Sequence, residues 1–170
     1  MFASLFRVTL VVLLTIYGFL GSSNAYAVKA PNFKLEGQQK QIELSDYRGQ
    51  IIYLDFWASW CQPCRNSFNW MNKMQSLYGK KGFKVIAINL DESRSKADQF
   101  LQQIPANFDV AYDPRGNTAQ SYKVKAMPSS YIINKRGEVI HANMGFRGKD
   151  EDKLETKIRT LINQSTVARR

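Results

Sequence analysis

The sequence predicts a mixed α/β domain, a central sheet flanked by helices on both faces, and three patterns carry that expectation. Two apolar runs, residues 51–57 (IIYLDFW) and 83–90 (FKVIAINL), have almost no polar interruption and read as strands covered on both sides. Between them, residues 64–78 place Phe68, Met71, Met74 and Leu77 near helical spacing and stop at Gly79. A strand hairpin and an amphipathic helix close the chain, which completes the order expected of a layered α/β sheet.

The elements follow in chain order. Residues 30–33 (APNF) form an irregular lead-in, residues 39–44 a short strand and residues 45–49 (SDYRG) a turn before the first apolar run. After the second run, residues 95–104 suit a helix with Ala97, Phe100 and Leu101 inward. Residues 108–112 read as a short strand and 117–122 as a short helix. Strands at 130–133 and 138–142 flank Asn134-Lys135-Arg136-Gly137, a turn with glycine in a late position. Residues 150–163 form the last helix, with Leu154, Ile158, Leu161 and Ile162 on one side, and residues 166–170 a frayed tail.

The chain has 170 residues, 44% hydrophobic and 22% charged, which fits one globular domain and excludes a disordered chain. The formal charge is +10, and Arg7 is the only charge in residues 1–27. The rest therefore carries 23 basic against 14 acidic residues, +9. Those basic residues are scattered rather than set in a stripe with aromatics, so no nucleic-acid partner is expected.

Residues 1–27 read as a secretory signal. A basic start is followed by an apolar centre of about 14 residues, shorter than the ~20 a spanning helix needs. Ala25-Tyr26-Ala27 then fits a small-x-small cleavage site. The alternative is an uncleaved membrane anchor. Either way, residues 28–170 form the domain, exported to an oxidising compartment, most naturally a bacterial periplasm.

The chemistry is expected at Cys61 and Cys64, the only cysteines. Two cysteines separated by two residues lie at a strand-to-helix junction, where unpaired amides and the helix dipole favour negative charge. The Cys61 thiol should therefore ionise below the free value of ~8.5 and act as nucleophile. Cys64, one turn inward, can attack the resulting mixed disulfide. Other readings of the pair are half of a zinc site, a structural disulfide and a Cu(I) carrier. A zinc site would need two more ligands, and the sequence offers one histidine, His141, and no third cysteine. No metal is expected. A disulfide across so short a loop gains little stability.

The segment Leu54-Asp55-Phe56-Trp57-Ala58-Ser59-Trp60-Cys61-Gln62-Pro63-Cys64-Arg65 resembles the active-site segment of thioredoxins, and specifically of the exported TlpA/ResA-like branch. Ala30-Pro31-Asn32-Phe33, Leu44-Ser45-Asp46-Tyr47-Arg48-Gly49 and the VKAMPSSY stretch at 124–131 resemble the same branch. The resemblance spans roughly residues 30–165 and implies a thioredoxin-like fold and thiol–disulfide oxidoreductase activity. It implies that Cys61 attacks, Cys64 resolves and buried Asp55 moves protons. It also implies that Met127-Pro128 is a cis bond whose backbone, with Trp60 nearby, docks an extended substrate segment. No bound cofactor is implied beyond the redox-active cysteine pair. The expected partners are protein disulfides and a membrane-embedded thiol electron donor, and the protein is expected to be a monomer. The rival from another class is a non-catalytic module that binds client proteins or Cu(I).

Three departures stand out. No lysine occurs in Val85-Ile86-Ala87-Ile88, Ser67 replaces a frequent glutamate, and Ala126 replaces a frequent glycine. They put a specialised role in cytochrome c maturation in doubt. A thiol peroxidase is disfavoured because such enzymes place a threonine where this chain has Ala58.

Overall fold

The computed structural model describes residues 28–167; the expected signal segment, 1–27, lies outside the described residues. Eight strands make up the sheet: β1 (Val28–Lys29), β2 (Lys34–Gly37), β3 (Ile42–Glu43), β4 (Ile51–Trp57), β5 (Phe83–Asn89), β6 (Asp109–Tyr112), β7 (Ser129–Ile133) and β8 (Glu138–Met144). Among the described residues four α-helices accompany them: α1 (Gln62–Tyr78), α2 (Arg94–Gln103), α3 (Asn117–Ser121) and α4 (Gly148–Val167). The strand order is β1-β8-β7-β4-β5-β6-β2-β3. β4, β5 and β6 run parallel, while β7 joins β4 antiparallel.

β4 and β5 occupy the middle of this order, and every residue of β4 is buried. Period-two alternation sends its residues to two separate cores. Ile51, Tyr53 and Trp57 pack with α1, α2 and α4 through Phe68, Phe100, Leu154 and Ile158. Ile52, Leu54 and Phe56 pack on the other side with Phe33, Leu44, Ala119 and Tyr122. Helices therefore cover both faces, but unequally. Three lie on the first face, whereas the second is closed largely by the N-terminal segment and the short α3.

Several expectations on the elements need correction. Residues 30–33 are irregular as expected, but each side of them holds a strand that was not expected: β1 pairs with Val139 and Glu138, and β2 with Tyr112 and Ala111. The strand expected at 39–44 is only β3, because Leu44–Tyr47 coil into a 3-10 turn. Leu77 is 48% exposed. Steps of three residues advance about 300°, so nine residues carry Leu77 about half a turn from Phe68. Trp70 and Tyr78 are buried on that helix as well. The helix expected at 150–163 continues to Val167, so the backbone at 166–167 is helical rather than frayed.

At the end of the sheet away from the cysteines, the β7–β8 turn is held by other segments. Gly137 has a φ of +76°, a conformation that favours glycine, and its amide donates to the Asn134 carbonyl at 2.8 Å. The Gly49 amide donates to the Lys135 carbonyl, and the Ala30 amide to that of Gly137, both at 3.0 Å. Arg48 and Lys29 donate side-chain hydrogen bonds to the Arg136 carbonyl.

Candidate active site

β4 ends at Trp57, and the chain turns through Ala58, Ser59 and Trp60 into α1. Cys61 is the N-cap of that helix, with extended backbone angles, and Cys64 is its third residue. Pro63 stands in the first turn, where its missing N–H costs no helix bond. The sulfurs are joined in a disulfide, with Cα atoms 5.4 Å apart. Cys61 keeps 4% of its surface exposed and Cys64 none, so an incoming sulfur can meet only Cys61. The N-cap is also where a thiolate gains most from the orphan amides and the dipole. Exposure and electrostatics select the same sulfur.

The loop before Cys61 is tied down by a carboxylate that sequence reasoning missed. Asp91, buried just past β5, accepts hydrogen bonds from the Ser59 amide at 2.8 Å and the Ser59 hydroxyl at 2.9 Å. The Asn89 side chain donates to the same carboxylate at 2.8 Å and accepts from the Asp91 amide at 3.0 Å. The Leu90 amide adds a bond to the Trp57 carbonyl at 2.9 Å. The available signal was position: Asp91 follows directly on the apolar run at 83–90, at the C-terminal end of a parallel strand.

Beneath the disulfide the layer is aromatic. Trp57 meets Phe68 and Phe100 with ring centroids 4.7 Å away, and Phe68 meets Phe108 at 5.3 Å. Trp57 is thus a packing residue, whereas Trp60 is 70% exposed beside Cys61. Arg65 lies over Phe100 and donates to Gln103 at 3.1 Å. Ser67 is buried and donates back to the Cys64 carbonyl at 3.0 Å, within the helix.

Asp55 has no exposed surface, and neither carboxylate oxygen has a protein hydrogen-bond partner. Strand alternation turns it to the face of Tyr53, Trp57 and the two cysteines. Its β5 neighbour, Ala87, carries no charge to offset it. Burial alone pushes its carboxyl well above the usual carboxylate range.

The Met127–Pro128 peptide bond is cis. β4 and β7 pair Phe56 with Ser129, and the next step of that register sets Pro128 beside Trp57, at the cysteine end of the sheet. Met127 is half-buried against the core that contains both cysteines. His141 lies on β8, away from this end. Burial and, to a lesser degree, Lys157 hold its imidazole below its ordinary value. A cavity of about 590 Å³ lined in part by Asp91, Phe33, Arg94 and Tyr112 includes neither cysteine.

A family model for AhpC/TSA proteins matches residues 27–142. The chain belongs to the AhpC/TSA family. Within this thioredoxin-like family it is 35% identical over 159 residues to the thiol-disulfide oxidoreductase ResA of Bacillus cereus, covering 86% of this chain and 91% of that one. A solved structure assigned as thiol:disulfide interchange protein DsbE of Chlorobium tepidum is 49% identical. It superposes with a TM-score of 0.79 over 80% of this chain and 96% of its own. The exposed lipoprotein thioredoxin of Streptococcus pneumoniae, 26% identical, gives a TM-score of 0.68 over 77% and 100% of the two chains. The fold is thioredoxin-like, and this AhpC/TSA member is a thiol–disulfide oxidoreductase of the ResA and DsbE kind. No helix among its described residues is long and apolar enough to cross a membrane.

Proposed function

We propose that the protein reduces disulfides of exported client proteins. The observation that carries this reading is the asymmetry of the pair, with Cys61 outermost at a helix N-cap and Cys64 sealed one turn below it. In the reduced enzyme the Cys61 thiolate attacks one sulfur of a client disulfide and bonds to it. The client's other sulfur leaves as a thiolate. Asp55 accepts the Cys64 proton, and the new thiolate attacks Cys61, freeing the second client sulfur and closing the Cys61–Cys64 disulfide. The client gains two electrons and the enzyme loses them. A membrane-embedded thiol donor returns them, and the disulfide itself is the only redox group required. The exposed Trp60 and the backbone at Met127 and Pro128 hold the client segment beside Cys61, and the protein acts as a monomer.

Residues 1–27 direct the chain to the periplasm, cleaved or retained as an anchor facing it. Oxidising surroundings supply the client disulfides. A peroxide-reducing role is not supported, because Ala58 offers no hydroxyl to position a peroxide oxygen.

Insulin reduction by the wild type and Cys61→Ser tests the activity. Turnover should vanish in the variant; turnover that survives it would refute the assignment. A redox titration tests direction. The potential should lie nearer thioredoxin's ~−270 mV than the ~−120 mV of a strong oxidant.

A further inference from the structure

The layer between β4 and α1 contains a second buried, titratable side chain that the exchange steps leave unused. Tyr53 is two residues before Asp55 on the same face of β4, about 6.6 Å along the strand. It has no exposed surface, and its hydroxyl has no hydrogen bond of good geometry. Its ring is set edge-on to Trp70, with centroids 5.1 Å apart. The Ser130 hydroxyl lies close to that of Tyr53 without closing such a bond. Ser130 is also the residue that β7 places directly opposite Asp55. The tyrosine's polar end therefore reaches the level of the carboxylate, in a layer whose other polar groups are the Ser130 hydroxyl, the cysteine sulfurs and the indole N–H groups of Trp57 and Trp70.

We propose that Tyr53 is a positioning residue whose hydroxyl turns to Asp55 when that carboxyl ionises, making the buried anion less costly. The inference rests on the proton-accepting role given to Asp55 above. A hydroxyl can donate to an anion that it leaves alone when the acid is protonated, and here it would do so after a small shift of the side chain, since the disulfide form leaves the two groups without a hydrogen bond. Asp55 needs such a donor because its β5 neighbour is Ala87 and no group among the described residues bonds its oxygens. Few other charged or titratable groups face it. α1 contributes Cys61 and Cys64, and Asp150 of α4 acts on Tyr53 from farther out. Val85 and Ala87 of β5 and Ser130 and Ile132 of β7 do not titrate. Burial still dominates, so the Asp55 carboxyl stays high even with the donor in place.

Tyr53→Phe removes one oxygen and keeps the ring that packs on Trp70. The experiment follows the Asp55 carboxyl by 13C NMR against pH in reduced protein, together with the pH dependence of mixed-disulfide resolution. Both midpoints should rise by about one unit in Tyr53→Phe, the shift expected on losing a hydrogen bond to a charged group. Asp55→Asn should abolish the resolution limb. Midpoints unmoved in folded Tyr53→Phe, while Asp55→Asn loses the limb, would overturn the tyrosine's role alone. A limb that persists in Asp55→Asn would overturn the Asp55 reading, and this inference with it.

Discussion

Replacing Asp91 with alanine removes the anchor of the loop that delivers Cys61. The carboxylate accepts three hydrogen bonds, from the Ser59 amide, the Ser59 hydroxyl and the Asn89 amide group. Bonds to a charged acceptor contribute about 1.5–3 kcal/mol each. Two corrections reduce the sum. The buried carboxylate no longer has to be desolvated, and half-buried Ser59 can recruit water in its place. The Asn89 side chain, almost wholly buried, cannot. The net loss is about 3 kcal/mol, or roughly 10 °C in Tm for a domain of this size. Chemical denaturation with urea, followed by tryptophan fluorescence, measures it. Asp91→Asn retains one acceptor and should lose about half as much. Insulin turnover should fall in both variants at temperatures where they remain folded, because Ser59 no longer fixes the approach to the helix. A loss below about 1 kcal/mol with turnover within about twofold of wild type would refute the reasoning.

Other perturbations separate the remaining parts of the site. Asp55→Asn should stabilise the protein at neutral pH. The raised carboxyl means the folded state binds more protons than the unfolded one above the ordinary carboxylate pKa, so wild-type stability declines as pH rises through that window. The difference between variant and wild type should therefore widen from about pH 4 upward, and thermal melts across pH check the sign. Phe68→Ala should cost about 3–5 kcal/mol, since the ring is fully buried among Trp57, Phe100 and Phe108. Trp60→Ala should leave the unfolding free energy in urea within about 0.5 kcal/mol of wild type, as expected of an exposed position, while raising KM for a protein disulfide.

How much could be read before the coordinates depended on how each element is stabilised. β4 and β5 are buried on both faces, so an unbroken apolar run marked their positions to within a residue. The β7–β8 turn was legible for a similar reason, because Gly137 occupies a backbone conformation that few other residues tolerate. β1 and β2 were invisible. They are short strands of two and four residues, β1 at an edge of the sheet and β2 between β6 and β3, held by main-chain bonds to their neighbours rather than by a long apolar face. Cys61 and Cys64 were legible from spacing alone, and the buried setting of Asp55 from the apolar run around it. The Asp91 anchor was not. Its role depends on β5 ending beside the Ser59 loop, a proximity that a sequence separation of 32 conceals.

The β7–β8 turn has a practical consequence for anyone modifying this protein. Hairpin tips are usually the safest places for an epitope tag, a circular permutation or a protease site. Here Gly49, Arg48, Ala30 and Lys29 all grip that tip, drawing the chain's early segment and the approach to its central strand onto one corner. An insertion there would loosen three stretches of polypeptide together. The loop should resist proteolytic nicking.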